Sequence, residues 1–253
     1  MKAHRQRIRR LASIAGVAWI AFAGSAALAQ PSAGRQLDEA TELLVAFTNG
    51  SPESIPAELI ERARGIAVIP RVFRGGFILG ARRGRGVLSI RMADGSWSNP
   101  AFVTLTGGSI GWQIGAESTD IVLVFANDNA VKNISTGKFT LGGEASAVAG
   151  PLRRQASSTM TFRAEVYGYL RSRGLYAGAA FQGARLNIDE EFGAAIYLDA
   201  GSARPLGQQN ALTPAIALPF LQALGNASDS ASGSQSIPSE RGIPEVETFP
   251  LPD

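Results

Sequence analysis

Residues 63–91 read ARGIAVIPRVFRGGFILGARRGRGVLSIR, and the class of fold turns on how this run is built. Its apolar residues come in short blocks, IAVIP at 66–70, FILGA at 77–81 and VLSIRM at 87–92, with glycine and arginine between them. Blocks of this length, rich in Val, Ile and Phe and bounded by glycine, have the signature of strands and are too short for a 3.6-residue helical stripe. The pattern predicts strands over Ile66–Pro70, Phe77–Ala81 and Val87–Met92. It makes Arg82-Arg83-Gly84-Arg85-Gly86 the turn joining the last two.

The same texture continues downstream. Further strands are predicted over Phe102–Leu105, Ile110–Ile114, Ile121–Phe125, Phe139–Leu141, Phe162–Leu170 and Leu175–Leu186, with Ala93-Asp94-Gly95 as one of the connecting turns. The run IVLVFA from Ile121 is apolar on both faces, which assigns it to the middle of the sheet. Helical periods frame this region. Residues 33–48 put Leu37, Ala40, Leu43, Leu44 and Phe47 on one stripe, with Asn49-Gly50 as the stop. A second helix starts near Pro56, turning Leu59, Ile60 and Ala63 inward and ending at Gly65. Brief helices are expected over Asn127–Ile134, capped by Asn127, and over Glu190–Tyr197. Strands and helices do not alternate, so a doubly wound fold is excluded. The expectation is an α+β fold: a glycine-rich twisted antiparallel sheet closing toward a barrel or sandwich, with flanking short helices.

The two ends of the chain have different compositions. Lys2, Arg5, Arg7, Arg9 and Arg10 precede an apolar stretch, and Ala27-Leu28-Ala29 has the A-x-A form of a signal-peptidase site. This predicts a signal peptide over 1–29, cleavage near Ala29/Gln30, and a periplasmic or secreted product. The expected domain spans 30–202. An apolar extension over 203–225, broken by Pro214 and Pro219, packs along it, and a Pro- and Ser-rich disordered tail fills 226–253. Without the leader, five of the 24 Lys and Arg go and all 21 Asp and Glu stay. The product is then slightly acidic, and nucleic-acid binding loses its electrostatic support.

Composition also narrows the chemistry. Cysteine is absent and the single histidine is His4, inside the predicted leader. The usual proton shuttle near neutral pH and the usual zinc and copper ligands are therefore missing. Gly107-Gly108-Ser109-Ile110-Gly111 matches G-x-S-x-G, but no histidine serves as its base, and a tightly packed glycine-rich strand explains it better. Ser135-Thr136-Gly137-Lys138 matches S-x-x-K without the companion elements of that site. Asp189-Glu190-Glu191 suits a helix start, where acids complement the dipole. No enzyme activity, cofactor or metal is expected.

One charge feature stands out from this background. Arg62, Arg64, Arg71, Arg74, Arg82, Arg83, Arg85 and Arg91 occur within 62–91 without a single acid. Guanidiniums fork onto phosphate oxygens, and each cation at an anionic bilayer contributes about 1 kcal/mol. The competing account is that these arginines keep a hairpin edge soluble or pair with acids elsewhere. Arg91, at a strand end, is the weakest member.

The run 63–91, together with DGSWSNPAF (94–102), GWQIGAESTDIVLVF (111–125), KFTLGGEASAVAGP (138–151) and VYGYLRSRGLYAGAAFQGARL (166–186), resembles the SYLF-domain family. The resemblance covers roughly residues 37–200. It implies a non-catalytic lipid-binding module for anionic head groups, phosphoinositides among them, with actin binding in some eukaryotic members. It also implies a compact domain of antiparallel sheet and helices. An exported chain would not meet actin, so the expected partner is an anionic phospholipid or membrane surface of the envelope. The alternative is an envelope protein. The expected lipid-binding residues are Arg64, Arg71 and Arg74 from the matching motif, with Arg82, Arg83 and Arg85 added on electrostatic grounds.

Overall fold

The computed structural model describes residues 33–76, 79–110, 115–135, 139–142, 146–155, 161–172, 175–178, 183–197 and 212–233, all within one compact unit, Ala33–Asp253. The predicted leader and residues 234–253 of the predicted tail lie outside the described residues, as does the cleavage site.

In chain order the elements are α1 (Ala33–Thr48), α2 (Ala57–Arg62), β1 (Gly65–Gly76), β2 (Leu79–Ile90), β3 (Ala101–Ile110), β4 (Gly115–Phe125), α3 (Asp128–Ser135), β5 (Phe139–Leu141) and β6 (Ala147–Ala149). A 3-10 turn at Arg153–Gln155 then leads to β7 (Val166–Ser172), β8 (Leu175–Gly178), β9 (Ala184–Ile188), α4 (Glu190–Tyr197), a second 3-10 turn at Ala215–Ala217 and α5 (Leu218–Gly233). The strands form one sheet in the order β5-β9-β3-β2-β1-β4-β7-β6, with β8 also paired to β7. Among the described residues only the β6–β7 pair is parallel. The sheet curls nearly into a barrel with a seam, and the fold is α+β, as the short glycine-punctuated blocks predict.

Both faces of this sheet are apolar, and each has its own core. Inside the curl, Ile69, Leu88, Val103, Leu105, Leu123, Phe125, Phe139 and Leu186 are buried together. Outside it, Ile66, Val68, Val87, Phe102, Val122, Val124 and Tyr169 are covered by helices. That explains why Ile121–Phe125 is apolar at every position: alternate residues serve different cores. The predicted stripe of α1, from Leu37 to Phe47, is buried on the outer core. So are Leu59 and Ile60 of α2 and Phe220 and Leu224 of α5. Each such side chain contributes about 1.5–3 kcal/mol by leaving water. Asn127 caps α3 as expected, its Oδ1 accepting the Ala130 N–H at 2.9 Å.

The structure corrects the expected strands at several points. Residues 82–86 are the middle of a continuous β2, paired with β3 from Leu79↔Ile110 to Leu88↔Ala101. The glycines at 84 and 86 that look like turn residues are there because β1 bulges against them. A Cβ on Gly86 would lie 2.2 Å from the Val68 carbonyl oxygen, and one on Gly84 would lie 2.6 Å from the Val72 side chain. The bulge inserts Pro70-Arg71 opposite the single residue Asp120 of β4, and Arg71 takes the left-handed value φ 50°. Elsewhere β3 runs on to Ile110, β4 starts at Gly115, β7 starts at Val166 rather than Phe162, Leu175–Leu186 contributes to two strands, and Gly65 opens β1 rather than ending α2. Apart from Ile110, the strand expected over Ile110–Ile114 lies outside the described residues.

The boundary of the tail also moves. Residues 226–233, assigned by composition to disorder, continue helix α5. Ala227 is buried on the outer core, and Ser228 Oγ accepts from the Arg91 guanidinium at 3.1 Å. Two well-placed small residues hold a turn that overall polarity hides.

Candidate functional site

Register decides which arginines can act together. In β2, Arg83 and Arg85 share the face of Val87, the helix-covered side, whereas Arg82 shares the opposite face with Leu88. Arg83 pairs with Phe73 of β1 on one side and with Thr106 of β3 on the other, and Thr106 pairs with Arg185 of β9. Directly paired residues project to the same face. Phe73, Arg83, Thr106 and Arg185 therefore form one row across four strands.

Arg83 and Arg185 are exposed, and Phe73 keeps 53% of its surface in solvent. Among the described residues neither guanidinium has an ion-pair partner. Strands in a sheet stand about 4.8 Å apart, so the two arginines, with Thr106 between them, start about 10 Å apart. Side chains of that length can converge on one anion above the threonine hydroxyl. The strand positions beside them are small: Ala81, Gly107, Gly108 and Gly183 join Arg82, Arg83, Thr106 and Arg185 around an open depression of about 410 Å³. Guanidiniums beside small residues have the charge and the fork geometry that phosphate oxygens accept.

Arg82 and Arg74 are paired on the other face of the same end. Both are half-buried. Burial, and then repulsion from Arg74, lowers the Arg82 guanidinium below its ordinary value. The remaining expected residues are engaged elsewhere. Arg85 lies 4.7 Å over the Phe192 ring and 3.4 Å from Asp189, whose other oxygen caps α4 by accepting the Phe192 N–H. Arg71 donates to Glu39 of α1 at 2.5 Å, and its backbone N–H donates to Asp120. Arg64 sits at the opposite end of β1, 3.6 Å from Asp128.

The six arginines singled out by sequence are thus dispersed. Arg83 stands exposed in the row, Arg74 and Arg82 are close to it across the sheet, and Arg64, Arg71 and Arg85 are bound to acids. Arg185 was missed. The signal for it was local: in Ala184-Arg185-Leu186 the neighbours are buried and the arginine points out.

Thr136, Gly137 and Lys138 of the S-x-x-K match lie outside the described residues. Ser109 lies in regular strand register opposite Gly80, not on the sharp strand-to-helix turn that exposes a nucleophile. Among the described residues no group of three or more His, Cys, Asp or Glu is placed to hold a metal.

Residues 106–227 match the family model described as Ysc84, Las17-binding protein actin regulator. The LAS seventeen-binding protein 3 of Saccharomyces cerevisiae is 34% identical over 176 residues, covering 66% of this chain and 38% of that protein. Protein YSC84 of the same yeast is 33% identical over 180 residues, covering 69% and 38%. The human SH3 domain-containing YSC84-like protein 1 is 36% identical over 156 residues, covering 58% and 45%. The chain therefore matches less than half the length of each of these relatives.

Proposed function

This chain carries a domain of the Ysc84 (SYLF) family, and from that premise we propose that it is a non-catalytic module that binds an anionic membrane surface through the row Arg83-Thr106-Arg185. The observation that carries the reading is the pair of exposed arginines on either side of Thr106, neither of them neutralised by a carboxylate among the described residues. Two cations at about 1 kcal/mol each give a contact that is weak, reversible and screened by salt. Arg74 and Arg82 add positive potential from the far face. The leader-like pattern of residues 1–29 supports placing this surface in the bacterial envelope, against an anionic phospholipid.

The test is co-sedimentation of purified residues 30–253, which hold the whole compact unit, with neutral vesicles and with vesicles doped with phosphatidylglycerol or cardiolipin. Binding to the anionic vesicles alone, lost at high salt and weakened about tenfold or more in an Arg83→Ser/Arg185→Ser variant, is the expected result. Equal binding by parent and variant would remove the row as the contact site. No binding to any vesicle would remove the membrane reading.

The description of the matching family as an actin regulator favours a second reading, in which an acidic protein filament occupies the same row. The argument against actin rests on the leader alone. Co-sedimentation with filamentous actin, using the same variant, tests it directly.

A further inference from the structure

Phe73 is the one aromatic among the large apolar side chains exposed in the described residues. The others are Val45 on α1, Val148 on the short strand β6, and Leu212, Ile216 and Leu218 around the start of α5. Phe73 is also the only one of them paired directly with an arginine, Arg83, that has no acidic partner among the described residues. It is not a gap in the core, because its neighbours in register settle the face it occupies, and that face is open at this end of the strands. The preceding residue in β1, Val72, is fully packed inside the curl. The alternation of the strand therefore holds the ring outward on a rigid element next to a bulge pinned by Asp120.

We infer that Phe73 is an interfacial anchor: its ring enters the boundary between head groups and acyl chains while Arg83 and Arg185 hold the phosphates on either side of Thr106. This rests on the membrane reading proposed above and deepens it. The charge complementarity of the row chooses an anionic surface, and the aromatic chooses a lipid surface over a soluble phosphate compound, which offers an exposed ring nothing to enter. Aromatic and cationic side chains in adjacent positions are the combination that suits a membrane interface, where one partner needs hydrocarbon and the other needs phosphate. The geometry also fixes orientation. The end of the sheet bearing Phe73 meets the membrane, and the Asp94-Gly95 turn, which follows the opposite end of β2, points away.

The chain contains no cysteine, so a single introduced one can be labelled uniquely. Phe73→Cys and, as the distal control, Asp94→Cys are labelled with a polarity-sensitive fluorophore and titrated with neutral and phosphatidylglycerol vesicles. In parallel, Phe73→Ser and Arg83→Ser/Arg185→Ser are compared with the parent by vesicle co-sedimentation, with thermal unfolding as the check on folding. The expected result is a blue shift at position 73 and none at position 94, on anionic vesicles only. Phe73→Ser should bind about tenfold more weakly with an unchanged thermal transition. If Phe73→Ser binds like the parent and position 73 shows no shift, while the double arginine variant still loses binding, the anchor is wrong and the membrane reading stands. If the parent binds no vesicle at all, both fall.

Discussion

Arg71, the bulged residue of β1 with φ 50°, donates its guanidinium to Glu39 of α1 at 2.5 Å. A residue other than glycine in the left-handed region stores backbone strain, and here two acids hold it: Asp120 takes the backbone N–H and Glu39 takes the side chain. Arg71 lies two residues from Phe73 along β1, next to the arginine row, with its charge cancelled by the helix above.

Removing that cancellation should strengthen membrane contact. Glu39→Gln leaves Arg71 as a further cation near the row, contributing up to about 1 kcal/mol at an anionic surface, or up to about fivefold in vesicle affinity. The Arg71 side chain is 58% exposed and that of Glu39 22%, so the pair is partly screened by water and its loss should cost about 1 kcal/mol of folding stability. Vesicle titration and urea unfolding of the same variant measure the two quantities. Unchanged affinity would show that Arg71 lies too far from the bilayer to matter.

Gly86 is a fold-determining position. Alanine there would place a methyl 2.2 Å from the Val68 carbonyl oxygen and 2.7 Å from the Ile69 Cα, both backbone atoms that cannot step aside without moving the bulge. Overpacking of this kind typically costs about 1–3 kcal/mol, occasionally more. Gly108→Ala meets nothing within 4 Å and serves as the control, with stability close to the parent. Urea unfolding compares them, and a Gly86→Ala protein as stable as Gly108→Ala would show that the bulge relaxes.

Arg91 fastens three separated segments. Its guanidinium donates to the Ala63, Ile60 and Gly95 carbonyls and to Ser228 Oγ, and lies 4.4 Å over the Trp97 ring. Burial, and then repulsion from Arg64, lowers it below the ordinary arginine value. Hydrogen bonds to a charged group are worth about 1.5–3 kcal/mol each, and removing this one side chain leaves several acceptors open at once. Arg91→Ala should therefore destabilise the domain by roughly 2–4 kcal/mol and free the end of α5. Urea unfolding gives the first, and faster amide exchange around Ser228 gives the second. Loss of stability with unchanged exchange would confine its role to the β2 end.

The helices were legible because their signal is local: the stripe from Leu37 to Phe47 states both the helix and the face it buries. The class of sheet was legible for the same reason, from short apolar blocks. What escaped depends on residues distant in sequence. Gly84 and Gly86 read as a turn until the approach of Val68 and Val72 is known, and Ser228 reads as tail until Arg91 reaches it. Of the site, Arg83 was found by charge density, which cannot say that Arg82 beside it faces the other way. Arg185 and Phe73 belong to the same row only through the pairing of β1, β2, β3 and β9, which no spacing along the chain encodes.

Tyr169 and Tyr197 should set the alkaline limit of the fold. Each is buried, each donates its hydroxyl to a backbone carbonyl, Pro151 and Pro100 respectively, and burial raises the pKa of both above the ordinary tyrosine value. Below about pH 10 both phenols are neutral in the folded and unfolded chain alike, so their contribution is fully present. Above that, the unfolded chain gives up these protons and the folded chain does not, so stability falls as pH rises, by about 1.4 kcal/mol per pH unit for each tyrosine. Over one unit the pair removes roughly 2–3 kcal/mol, a sizeable share of the stability of an ordinary domain. The chain should therefore unfold cooperatively in alkali, with tyrosinate absorbance from these two residues appearing together with the loss of circular dichroism. A smooth titration of all tyrosines near pH 10 in a chain that stays folded would show that water reaches both hydroxyls, and would place the alkaline limit elsewhere in the domain.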